Sequence, residues 1–306
     1  MTSDLAIIGA GPAGLTAGHV AGRAGLDAVV FEAETPGGEL VNRDRIENYP
    51  GRPDVSGPEL RTTLYEQFQQ YDVPIVLEEV VDIRDEDPFT IATSGGEYAA
   101  RAVLIACGGR ASTLDVPGES AYAGRGVFYC AKCDGPLYRD EVVAVAGGDD
   151  WALTDALFLA DHAAEVILFE TESELPAGAS LRERVASNST IEVRTGTEIT
   201  KVTGEDVIDS INVIDSAGRT DIVDVDGLYV QVGIEPNTEF LGDAIPTNDR
   251  GEIVTDADLQ TETDGVFAAG DLRCGSPQTV GAAVGDGITA CRSVQQYLES
   301  QTDSQP

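Results

Sequence analysis

Leu5-Ala6-Ile7-Ile8-Gly9-Ala10-Gly11-Pro12-Ala13-Gly14 stands at the head of the chain, and its reading decides the fold. Four apolar residues without a polar break make a short buried strand. The glycines mark a sharp turn into a helical stretch that runs to about Ala24. Ala28-Val29-Val30-Phe31-Glu32 is then a second strand ending in an acid. Strand, glycine turn, helix and strand make a βαβ unit of the dinucleotide-binding kind. Gly9 permits the turn, Gly11 leaves out a side chain where a pyrophosphate approaches, and Gly14 lets helix and strand pack closely. The helix N-terminus adds amide N–H groups and a positive dipole end. Glu32 offers ribose hydroxyls a carboxylate. Gly9, Ala10, Gly11, Gly14 and Glu32 are therefore candidate cofactor-binding residues. The motif alone does not separate FAD from NAD.

The pattern recurs. Val142-Val143-Ala144-Val145-Ala146 reads as a strand, Gly147-Gly148 as its turn, Trp151 to about His162 as a helix, and Val166-Ile167-Leu168-Phe169-Glu170 as the next strand. Further strand-like runs lie at Val80–Ile83, Thr90–Ala92 and Val103–Cys107. Gly108-Gly109 and Val116-Pro117-Gly118 punctuate the chain like a linker. Gly265–Asp271 reads as a strand meeting a Gly-Asp turn, a helix is expected from about Gly285 to Leu298, and the polar tail Ser300–Pro306 is expected to fray. The fold class is α/β, with two Rossmann-like, three-layer domains.

A length of 306 residues suits two domains. Asp and Glu number 54 against 19 Lys and Arg, a formal charge of -35. That charge argues against nucleic acid and anionic membranes as partners. It reads as a solvating coat suited to a salt-rich, halophilic cytoplasm, since molar salt shortens screening to roughly 3 Å. The five cysteines form neither a secreted disulfide framework nor paired zinc half-sites. The start Met1-Thr2-Ser3-Asp4 lacks the basic head of a signal peptide, and no apolar run reaches spanning length. A soluble cytoplasmic protein without a metal is expected.

Cys130-Ala131-Lys132-Cys133-Asp134-Gly135 carries the most chemistry. Two thiols at this spacing can close a disulfide and reopen it. Zinc would need two more ligands, and neither His19 nor His162 is near in sequence. A structural disulfide is the other alternative. Here the sequence resembles the low-molecular-weight thioredoxin reductases over nearly its whole length. The matching stretches are Gly9–Gly14, Gly37-Gly38-Glu39-Leu40, Ile46–Gly51, Cys130–Gly135, Val225–Val230, Gly233–Thr238 and Gly265–Asp271.

That resemblance implies an FAD domain made of residues 1–111 and 237–306, with residues 112–236 inserted as an NAD(P)-binding-like domain carrying the cysteines. It implies that Gly38, Glu39, Leu40 and Asn48 border the flavin or its chain, and that Val81 touches the adenine. Gly270 and Asp271 would meet the ribitol-phosphate side, and Gln278 and Thr279 would line the isoalloxazine ring. Cys133 is implied as the sulfur nearer the flavin, Cys130 as the thiol that attacks the partner's disulfide, and Asp134 as the acid-base group. A thioredoxin-like partner, a homodimer and a rotation between domains are implied likewise.

The second turn departs from the family. Relatives show Gly-x-Gly-x-x-Ala where this chain has Gly147-Gly148-Asp149-Asp150-Trp151-Ala152. Where NADPH users present a His-Arg-Arg cluster to the 2′-phosphate, this chain has Glu170-Thr171-Glu172. A carboxylate ~4 Å from a phosphate charge costs about 4 kcal/mol at an effective dielectric near 20. A micromolar cofactor has only about 8 kcal/mol to lose. NADPH binding is therefore expected to be weak or absent, with NADH a remaining candidate. Ferredoxin or a reduced deazaflavin is the alternative donor. An oxidase of small dithiols and a non-enzymatic flavin redox sensor are the alternative functions. Lys132 has two readings, a cation that lowers a neighbouring thiol pKa and an exposed spacer.

Overall fold

The opening stretch folds as β1 (Thr2–Ile8), α1 (Pro12–Ala24) and β2 (Ala28–Phe31), with β2 parallel to β1. The structure, a computed structural model, describes residues 2–43, 45–52, 54–242 and 245–303. Pro12 occupies the first turn of α1, where no amide partner is needed, and Gly25 ends the helix in the left-handed region. Next comes α2 (Gly57–Phe68), whose start is capped by the Ser56 hydroxyl accepting from Glu59 N. β3 (Ile75–Val76) adds to the sheet edge beside β2. β4 (Val80–Arg84), β5 (Phe89–Thr93) and β6 (Glu97–Ile105) form an antiparallel meander.

β6 begins and ends earlier than the expected Val103–Cys107. Its first half pairs antiparallel with β5 and its second half runs parallel to β1. The ladder stops at Ile105, and the next carbonyl, Ala106 O, lies against Gly9.

Chain contacts divide the molecule into two compact units, Met1–Arg110 with Glu235–Pro306, and Ala111–Ile234. The chain first crosses in β7 (Gly109–Ala111). The second unit holds α3 (Glu119–Tyr122), β8 (Val127–Phe128), α4 (Ala131–Asp134), β9 (Val142–Ala146), α5 (Asp150–Ala160), β10 (Glu165–Glu170), α6 (Ala179–Ala186) and β11 (Ile191–Thr195). A three-stranded antiparallel layer follows, β12 (Thr197–Gly204), β13 (Ile208–Asp215) and β14 (Thr220–Asp224), then β15 (Gly227–Val230). The parallel sheet has the order β11-β10-β9-β15-β8. One apolar cluster fills the space between that sheet and α5, and a second lies between the sheet and the β12–β14 layer. This is the three-layer arrangement of a dinucleotide-binding domain.

β16 (Ile234–Pro236) leads back, β17 (Val266–Ala268) joins the first sheet beside β6, and α7 (Val280–Asp303) closes the chain. α7 starts at Val280, not Gly285, and continues through Asp303 where the polar tail was expected to fray; residues 304–306 lie outside the described ones. One of the glycines that disfavour this helix by propensity, Gly287, serves its packing. A Cβ at Gly287 would stand 2.4 Å from Ala13 O on α1. Close helix contact outweighs the ~1 kcal/mol propensity cost of a glycine.

Candidate functional site

Two turns at the ends of equivalent strands, one in each unit, can be compared atom by atom. In the first, Gly9 takes φ 102°, and its N donates to Phe31 O. A Cβ there would stand 2.5 Å from Ala106 O, and one on Gly14 would stand 1.8 Å from Gly9 O. Those two glycines are demanded by packing. Gly11 is different: the nearest atom to a Cβ there is Gly38 Cα at 3.9 Å. Gly11 caps α1 with no side chain bonded to the helix amides. The helix N-terminus is thus open toward the 38–42 turn, a cradle shaped for an anionic pyrophosphate. Glu32 Oε2 accepts from Ala10 N at 2.8 Å and Oε1 from Glu34 N at 3.0 Å, so the acid is already held by backbone amides with lone pairs left for a ribose.

The Gly270–Asp271 turn lies in the same unit. Gly270 is buried at φ 91°. Asp271 Oδ1 is buried with no hydrogen-bond partner among the described residues. Burial first, then the neighbouring Asp286 charge, push its pKa up to about 6. An orphaned buried acceptor beside an open helix N-terminus suits the hydroxyl-bearing chain of a flavin dinucleotide. Gln278 has φ 52°, strain often retained at ligand sites, and Thr279 is half-buried beside it. Gly38 and Glu39 are exposed, as is Asn48, and Val81 is exposed on β4. Leu40 is 2% exposed and belongs to the core, so its side chain is committed to packing.

In the second unit Cys130 and Cys133 form a disulfide. Cys130 is the N-cap of α4, and its Sγ accepts from Cys133 N at 3.2 Å. The same amide would stabilise a Cys130 thiolate after reduction. Cys133 is exposed, and Cys130, Lys132 and Asp134 are half-buried. Ala131 is buried, and a Cβ on Gly135 would meet Leu159 Cδ2 of α5 at 2.6 Å, which seats the end of α4 on that helix. The remaining thiols differ in kind. Burial pushes Cys107 and Cys291 up to about 12, and Cys274 is exposed.

The second turn repeats the first in backbone and reverses it in chemistry. Gly147 takes φ 122° and donates to Phe169 O, as Gly9 does to Phe31 O. Asp149 has almost the backbone angles of Gly11, but its carboxylate accepts from Ala152 N at 2.8 Å. The helix amides that Gly11 leaves open are here capped by the chain's own acid. Asp150 accepts from Gly178 N at 2.7 Å, and Ala177 N donates to Gly148 O, so the loop after β10 is drawn onto the turn. Glu170, 8% exposed, accepts from Glu172 N and the Thr171 hydroxyl. Its Oε2 lies 2.3 Å from where a Cβ on Gly148 would be.

Sequence reasoning missed Arg273 and Asp286, which pair beside the Gly270–Asp271 turn. The available signal was an acid between Gly285 and Gly287 within an otherwise small and apolar helix. Among the described residues, no cluster suited to a metal occurs, and no helix is long and apolar enough to cross a membrane.

A dinucleotide cradle in one unit and a redox-spaced disulfide at a short helix in the other define a flavin-dependent disulfide oxidoreductase. The chain belongs to the pyridine nucleotide-disulphide oxidoreductase family, whose model matches residues 3–287. This is an FAD-binding family, and within it the chain is a thioredoxin-reductase-like oxidoreductase acting on sulfur groups. It is 35% identical to a thioredoxin reductase of Listeria monocytogenes over 98% of this chain and 95% of that one. Its fold is similar to that of Lactococcus lactis thioredoxin reductase, with TM-score 0.95 and 31% identity over 98% of this chain and 100% of the other. A ferredoxin-flavin thioredoxin reductase from Clostridium acetobutylicum is similar at TM-score 0.56 and 27% identity, covering 99% of this chain and 100% of that one.

Proposed function

We propose that this chain reduces the disulfide of a thioredoxin-like protein through Cys130 and Cys133, using FAD held by the first unit and a donor other than NADPH. The observation that carries the donor reading is the Asp149 carboxylate bonded to Ala152 N. It takes the amide end of α5 that a cofactor phosphate would need, and it adds repulsion. Glu170 and Glu172 stand where a 2′-phosphate would need cations. Glu170 alone retains the chemistry of an NAD-type ribose acceptor, so weak NADH use is compatible with the site.

FAD, when bound, supplies the electron pair that opens the Cys130–Cys133 disulfide. Gly9, Ala10, Gly11 and Gly14 with Glu32 would hold its pyrophosphate and ribose, and Asp271 its hydroxyl chain. The dithiol then works by exchange. The Cys130 thiolate attacks one sulfur of the partner's disulfide, forming a mixed disulfide and expelling the partner's other sulfur as thiolate. The Cys133 thiolate attacks Cys130 Sγ, restores the internal disulfide and releases the partner's second thiolate. Asp134, next to Cys133 in sequence, is the group available to move the protons. The amide of Cys133 favours the charged form of Cys130 as nucleophile.

Ferredoxin or a reduced deazaflavin is the donor class this reading favours, and a relative described as a ferredoxin-flavin thioredoxin reductase supports it. Anaerobic titration tests it. The flavin should stay oxidised with stoichiometric NADPH, bleach slowly at most with NADH, and bleach fully with a low-potential reductant. Rapid bleaching by one equivalent of NADPH would sink the reading.

A further inference from the structure

The Gly270–Asp271 turn is gripped from behind by two side chains that no motif marks. Asp286 lies on α7 and is 8% exposed. Its Oδ2 accepts from Gly270 N at 3.0 Å and from Arg273 Nε at 2.5 Å, and its Oδ1 accepts from Arg273 Nη2 at 2.9 Å. One carboxylate therefore ties both ends of the four-residue turn 270–273 to α7. The anchor is itself fixed, because Gly287 brings α7 against Ala13 O of α1. A Cβ on Gly270 would come 3.3 Å from Ala13 Cβ and 3.9 Å from Ala283 Cβ, so the turn has little room to slide on either helix.

The chemistry explains why an ion pair stands here. The buried Gly270 amide needs an acceptor, and an acidic acceptor out of water needs a counter-charge. The guanidinium fork gives two bonds to the carboxylate and fixes its orientation. A buried pair of this kind adds little to stability compared with apolar residues of the same volume. What it does supply is a fixed geometry for the residues between the two anchored ends, among them Asp271, whose Oδ1 is buried without a partner among the described residues.

We propose that the Arg273–Asp286 pair is the positioning device of the flavin site, presetting the Gly270–Asp271 turn so that Asp271 receives the cofactor's hydroxyl chain without rearrangement. This rests on the reading that Asp271 contacts FAD. The charges around Asp271 agree with it. Asp286 on α7 and Glu39 on the 38–42 turn raise its pKa, while Arg43 and Arg273 lower it, and burial is the largest effect. Asp286 thus holds the turn in place and also acts on the charge of the residue that the turn presents.

The FAD dissociation constant of the full-length chain, read by free-flavin fluorescence, is the test, together with thermal melting of each variant. Asp286→Asn and Arg273→Gln should each weaken FAD binding on the order of tenfold to a hundredfold, the range spanned by one charge-assisted hydrogen bond. The double change Arg273→Met with Asp286→Leu removes both buried charges together. It should melt near the wild-type apoprotein and still bind FAD weakly. Asp286→Asn should also move the pH midpoint of FAD binding below its wild-type value, which a general loss of fold would not do. Wild-type affinity in the double variant, or an unmoved midpoint in Asp286→Asn, overturns the proposal. Asp271→Asn separates the two readings. If it weakens FAD while the pair variants do not, only this inference fails. If it binds FAD as the wild type does, the assignment of the turn fails.

Discussion

Cys130 and Cys133 differ in surroundings although they share a motif. Cys130 caps α4 and accepts the Cys133 amide, while Cys133 lies exposed. Replacing Cys133 with Ser should therefore abolish turnover with a protein disulfide and leave FAD content unchanged; retained turnover would remove Cys133 from the relay. Asp271 yields a prediction with a sign. Its pKa in the folded chain is about 6, against roughly 3.9 for a free aspartate. The folded state therefore binds this proton more tightly than the unfolded state does. Its contribution to stability is fully present below about pH 4 and is lost as pH rises through about 6. That loss amounts to at most about 3 kcal/mol. In urea unfolding of the apoprotein, Asp271→Asn should be more stable than wild type at pH 8, and the gap should narrow toward pH 5. A constant gap across that range would show that the charge is not the cause. Gly9, Gly11, Gly14 and the cysteine pair are legible at this scale, because a missing Cβ or a thiol spacing is itself the signal. The orphaned oxygen of Asp271 is not, because it exists only once α7 and the 38–42 turn surround it.

The two strand–turn–helix elements are one design with two outcomes. α1 begins at a glycine and leaves its amides open, while α5 begins at Asp149 and closes them. Asp149→Gly should lower the free energy of unfolding by only roughly 0.3 kcal/mol, because glycine is itself a tolerated N-cap. The same change should strengthen NADPH binding measured by equilibrium titration. Unchanged affinity would place the obstacle at Glu170 and Glu172 alone. The departure at Asp149 is legible from spacing, since it stands where Gly11 stands in the first turn. Its service as a helix cap has a local pattern too, an Asp three residues before the bonded amide. β6 and α7 show the opposite case. Their limits shifted because the strand pairs with different partners along its length, and because a glycine-rich helix is held by contact with α1.

The whole molecule carries a charge of -35, and most ion pairs described are exposed. Exposed pairs contribute about 0–1 kcal/mol each and cannot offset so much repulsion. Screening reaches ~10 Å at 0.1 M salt and ~3 Å at 1 M. The melting temperature should therefore rise steeply between 0.1 M and molar KCl, and an unchanged melting temperature would mean that the acidic coat does not limit stability. The sequence by itself determined that this chain has two dinucleotide-type βαβ units, a redox cysteine pair and a second turn in which Asp149 stands where the first has Gly11. Each of these is written in residues close together, where apolar runs, glycines and acids act on their own neighbours. Only the tertiary structure decided that Asp286 grips Gly270 across 16 residues and that Gly287 meets Ala13 across nearly the whole chain. It also decided that Asp271 Oδ1 is buried without a hydrogen-bond partner among the described residues. Burial and the net charge around a group depend on which distant elements pack against it, and that information has no local pattern to carry it.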